Sequence, residues 1–144
     1  MRPLISLLTI LTLTTSALFG QEIKKCDGAV LSMITDKIGQ AKQKEITDFL
    51  LTFGQECRNN IEYSEWSNEL LFSLLDKQTD LTIKTIEKEE KRIEIEEILN
   101  DLSEPIHDMA NIKDIITRVE KVKINKDLKD KILERLRTAD GKTN

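Results

Sequence analysis

The chain predicts an all-α domain of six or seven short antiparallel helices tied by one disulfide. Three observations carry this. Apolar residues recur at three- and four-residue spacing almost everywhere after Gly28, and no stretch alternates long enough to build a strand. Helix breakers are few: beyond residue 20 the glycines are Gly28, Gly39, Gly54 and Gly141, and Pro105 is the one proline. The polar turns between apolar stripes are short, which favours antiparallel neighbours.

The first helix carries Val30, Met33, Ile34 and Ile38 on one face, with Asp27 placed to cap it and Gly39 to end it. Ile46, Phe49, Leu50, Phe53 and Cys57 form a narrow stripe on a second helix, which Asn59-Asn60 breaks. A third helix is expected from about Ser64, with Trp66, Leu70, Leu71, Leu74 and Leu75 as a broad apolar stripe. Residues 76–80 are polar and read as a break, with Asp80 as the next N-cap. Leu81, Ile83, Ile86 and Ile93 follow, then Ile95, Ile98, Leu99 and Leu102 in a shifted register. That shift predicts a kink or a tight turn near Arg92. The mixed charges of 87–92 read as a solvated helix face. Pro105 ends this helix, because a proline disfavours helix in the residue before it. Asn111 caps the next, whose apolar face is Ile112, Ile115, Ile116, Val119 and Val122. After a polar turn at Asn125 and Asp127, the last helix carries Leu128, Ile132, Leu133, Leu136 and Ala139, and Gly141 is placed to stop it.

Residues 70–77, a turn and residues 81–86 resemble a helix pair from a HEAT or armadillo repeat. Residues 98–102, the Pro105 turn and residues 112–122 resemble a second pair. The resemblance implies stacked helical hairpins that bind a protein or peptide, and it implies no catalytic residue. A closed helical bundle accommodates the same stripes.

Residues 1–20 have the layout of a secretory signal peptide: Arg2, an uncharged apolar run from Leu4 to Leu13, and small residues before Gln21. The apolar run falls short of the roughly 20 residues that span a bilayer. Cleavage is expected after Gly20, with Phe19 and Gln21 as alternatives. Residues 21–140 then form one helical domain and 141–144 a frayed tail. The expected location is secreted or periplasmic, with no stable membrane insertion once the leader is removed.

In an oxidising compartment the pair Cys26 and Cys57 reads as one disulfide. Closing that loop of about 30 residues is worth roughly 3–4 kcal/mol in the chain-entropy account. Two free thiols or part of a metal site are the alternatives, but there is no Cys-x-x-Cys and only one histidine. With a net charge of −4 and interspersed lysines, the chain lacks the basic stripe that phosphate backbones require, so no nucleic-acid partner is expected. Aromatic residues make up only 4%, which argues against a large aromatic ligand pocket. No cofactor is implied.

The only histidine, His107, stands beside Asp108 at a turn. A weak metal site or a metal-dependent or carboxylate enzyme centred there is one reading, and an exposed helix connection is the other. Phosphate loops and nucleophile elbows are absent from the sequence. The segment with the only Tyr and the only Trp is the best candidate for recognition: Tyr63, Glu65, Trp66 and Glu69 combine aromatics with a polar rim. Core packing competes with that reading, because Trp66 aligns with Leu70 and Leu74 and Tyr63 can staple the helix entry. The sequence therefore predicts an exported, non-catalytic interaction domain for a protein or peptide partner, of the periplasmic inhibitor or immunity type. A structural, envelope-associated helical protein is the further alternative.

Overall fold

The computed structural model describes residues 22–106 and 111–142, and there the apolar stripes form six α-helices, one 3-10 turn and no strand. Residues 1–21, 107–110 (His107 and Asp108 among them) and 143–144 lie outside the described residues. The helices are α1 (Gly28–Thr35), α2 (Gln43–Leu51), α3 (Ile61–Glu89), α4 (Ile95–Ser103), α5 (Ile112–Lys121) and α6 (Lys126–Lys142).

Caps set most of the boundaries. The Asp27 carboxylate accepts from the Ala29 amide at 3.0 Å, and Asn111 accepts from Asp114 at 3.2 Å. Asn125 caps α6 by accepting from Asp127 and Leu128. Gly39, at φ +82°, makes the left-handed turn between α1 and α2. Asn60 starts α3 three residues earlier than expected, accepting from the Tyr63 amide at 3.1 Å, while the Ser64 hydroxyl turns back to the Cys57 carbonyl. The stripe ending in Cys57 is buried as expected but is not one helix. The Thr52 hydroxyl donates to the Phe49 carbonyl as α2 ends, and Gly54 is extended. Cys57 then falls in the 3-10 turn Gln55–Asn59. The shifted register near Arg92 is a tight turn, closed by the Arg92 and Ile93 amides on the Glu89 carbonyl. Gly141 does not stop α6, which runs through it to Lys142, whose ammonium lies 3.4 Å from Glu104.

The polar break at 76–80 becomes a reversal inside α3. Gln78 has non-helical backbone angles, φ −140° and ψ 46°. The Thr82 hydroxyl reaches the Leu74 carbonyl at 3.4 Å, whereas eight residues of straight helix would separate them by about 12 Å. Both ends of α3 also touch α2: Tyr63 meets Thr52 and Glu89 meets Thr47. Residues 61–77 and 79–89 are therefore two antiparallel arms, and Gln78, not Asp80, precedes the second. Asp80 instead pairs with Lys84 at 2.8 Å. The Gln78 amide is clasped to the Ala41 backbone, accepting from its N–H at 3.1 Å and donating to its carbonyl at 2.8 Å.

This hairpin is the centre of the molecule. α1 and α2 pack on it and on each other, and α4 and α5 also pack on it. α6 packs mainly on α4 and α5, which meet it rather than pairing chiefly with each other. The expected second hairpin is thus opened by α6. Arg135 faces Glu96 and Lys142 faces Glu104, so α6 runs parallel to α4. Leu31, Ile34, Phe49, Leu71, Leu74, Leu75, Ile83, Ile98 and Leu99 are almost completely buried and form one continuous core with the α6 stripe. Within the charged run 87–92, Glu89 departs from the solvated-face reading: it is buried and accepts from Arg92 and Thr47.

The disulfide Cys26–Cys57 is formed, with Cα atoms 5.5 Å apart and a sequence separation of 31. It fastens the segment before α1 to the 3-10 turn. The Cys26 amide adds a 2.8 Å bond to the Thr52 carbonyl.

Candidate functional site

Arm 61–77 presents the expected recognition residues, but not all on one side. Tyr63 points inward and is 5% exposed. Its hydroxyl shares a 2.7 Å hydrogen bond with that of Thr52; the Thr52 proton already goes to Phe49, so Tyr63 is the donor. Burial pushes the Tyr63 phenol up to about 12. Trp66 lies half-buried against the core, and its indole N–H donates to the Thr35 hydroxyl at 3.1 Å. Both aromatics therefore serve the α1–α2–α3 junction.

The outer face of the same arm is acidic. Glu62, Glu65 and Glu69 follow at spacings of three and four, so they share one face. Glu62 and Glu65 are exposed and make no ion pair among the described residues. Ile61 and Ile106 are the two large hydrophobic residues left exposed among those described, at 70% and 41%. Ile61 stands at the head of this arm beside Glu62, and Ile106 is tied to the arm through its backbone, its amide donating to Asn68 two turns further along. Asn68 is itself buried and also donates to the Asp101 and Glu104 carbonyls, so one amide fixes the end of α4 against α3. The sequence reading missed Asn68. Its signal was a polar residue among the leucines of the α3 stripe.

Behind this face, Asp101 sits beside Tyr63, Ser64 and Ser67 at a cavity of about 30 Å³, room for roughly one water. Arg58 binds Glu97 through two hydrogen bonds of 2.5 and 2.9 Å, so its charge is matched there and not at Asp101. Burial, with Glu97 and Glu104 nearby, raises the Asp101 carboxyl from 3.8 to about 7. The Ser64 and Ser67 hydroxyls donate to backbone carbonyls at 3.2 Å each, so neither is poised as a nucleophile.

A larger cleft of about 550 Å³ lies at the α3 reversal. Residues 76–81 form one wall and Arg118, Lys121 and Val122 the other. No group of three or more His, Cys, Asp or Glu side chains is placed to hold a metal ion among the described residues. No helix among them is long and apolar enough to cross a membrane. Compared with known proteins, the chain matches no family model, no curated protein and no solved structure.

Proposed function

We propose that this is an exported, non-catalytic helical interaction protein whose acidic α3 face receives a basic protein or peptide, in the manner of a periplasmic inhibitor or immunity-type protein. One observation carries the reading: Glu62, Glu65 and Glu69 share one face of the arm that exposed Ile61 begins. Carboxylates around apolar contacts steer a cationic partner and then give it surface to bury. Export is supported by the leader-like residues 1–20 and by the Cys26–Cys57 disulfide, which suits an oxidising compartment. The 61–89 hairpin, with helices packed on both sides, supports a stacked arrangement of the HEAT or armadillo kind, built to display side chains rather than to enclose a reaction.

The test is gentle isolation of the native protein at low salt, with mass spectrometry of its N-terminus and of whatever accompanies it. The expected result is a chain starting near Gln21 in stoichiometric complex with a basic protein. Glu65→Lys should then weaken that complex by about ten-fold or more without changing the helical content. A native protein that is always free, or a complex indifferent to Glu65→Lys and to salt, would overturn the reading.

A further inference from the structure

We propose that the cleft at the α3 reversal is a binding site for a small organic anion, a carboxylate- or phosphate-bearing molecule with a short apolar body. Its volume, about 550 Å³, falls within the roughly 300–1,000 Å³ typical of small-ligand sites. Its walls come from segments some 40 residues apart in sequence, and both are pinned. Gln78 is clasped to Ala41 on one side. Across the cleft, the Arg118 Nε donates to the Thr79 hydroxyl at 2.9 Å and its Nη2 to Asp76 at 3.1 Å. A site held in this way loses little freedom when a ligand enters.

Charge decides the ligand class. Both carboxylates in the cleft are already matched. Asp76 lies 2.9 Å from Lys77 and 3.1 Å from Arg118, and the hydrogen bond from Lys77, then that from Arg118, hold its carboxyl below the usual range. Asp80 is bound by Lys84 at the rim. The cations are not all matched. Lys121 makes no ion pair among the described residues, and Arg118 engages its Nε and Nη2 but not its Nη1. Arg118 and Lys121 stand three residues apart at the end of α5, on the same face. The cleft is thus locally cationic in a chain of net charge −4. An oxygen anion between the free edge of the guanidinium and the ammonium satisfies both. Half-buried Leu81, with the edge of buried Val122 behind it, supplies the apolar surface for the rest of the molecule. The acidic partner face is a separate surface, so this site stands whether or not that reading holds.

The experiment is an NMR titration of the full chain with inorganic phosphate, with butyrate, and with uncharged butyramide as control. Saturable amide shifts confined to 76–81 and 118–122 are expected with either anion, at dissociation constants in about the millimolar range, and not with butyramide. Preference between phosphate and butyrate then names the anion. Lys121→Gln, a substitution at an exposed position, should weaken binding about five-fold or more while leaving the rest of the spectrum unchanged. Arg118→Lys should weaken it as well, because the fork is lost. No saturable shift up to about 50 mM anion, or equal shifts around Lys113, Lys123 and Lys131, would overturn the proposal.

Discussion

At Asp101, burial and two neighbouring carboxylates act in the same direction, raising its acid from 3.8 to about 7. The folded chain therefore holds this proton where the unfolded chain has released it. Below about pH 3.8 both states are protonated and Asp101 costs nothing. As pH rises from there to about 7, the unfolded state ionises first and stability falls, and above 7 the full penalty remains. Asp101→Asn should thus stabilise the protein by on the order of 2–4 kcal/mol at pH 8 and have little effect at pH 3.5. Urea unfolding at the two pH values checks this, and an equal effect at both would refute it. This carboxyl was not legible in the sequence, because Asp101 follows Glu97 by one helical turn on the polar side of α4. Tyr63, expected just before the helix as a staple, lies instead in its first turn because Asn60 caps α3, and its inward hydroxyl depends on Thr52, a tertiary contact.

Elements were legible where a cap or a stripe defines them. Asp27 and Asn111 hold the starts expected of them, Asn125 of the expected polar turn caps α6, and the apolar positions of α5 and α6 are buried apart from half-buried Ile116. Boundaries failed where a side chain outcompeted the periodicity, as Thr52 does at the end of α2. The 76–80 break was read correctly as polar, but its cause was not visible: Gln78 is held by a backbone segment 37 residues away. Ala41 is buried, so its N–H and carbonyl depend on that amide. Gln78→Ala leaves both unsatisfied and should cost about 1–3 kcal/mol. Lys77→Ala, at the exposed neighbouring position, should cost well under half as much. Thermal unfolding of the two variants side by side distinguishes a clasp from a merely permissive turn; equal effects would mean that Gln78 does not hold the reversal.

At the scale of the molecule, the arrangement of helices was the least legible feature, because a stack and a closed ring require the same apolar stripes. The spatial order follows from α3 folding back on itself. With both arms in the middle, α1 and α2 occupy one side, and α4 and α5 the other, leaving α6 to close over that second pair. The disulfide joins the approach to α1 with the turn after α2, which also touches the start of α4 through Arg58–Glu97 and Gln55–Glu94, whereas α6 packs on α4 and α5. Its stabilisation should therefore be global in energy but local in its effect on fluctuations. Replacing both cysteines by serine should lower the unfolding free energy by roughly 2–4 kcal/mol. In native-state hydrogen exchange, amides of α1 and of the 55–59 turn should lose more protection than those of α6, which packs on the far side and opens only with the whole core. Uniform loss in α1 and α6 would show that the two sides unfold as a single unit and that the α3 hairpin transmits the constraint across the molecule. An unchanged midpoint would show that the packing of Cys26 and the Thr52 carbonyl already fixes this segment without the bond.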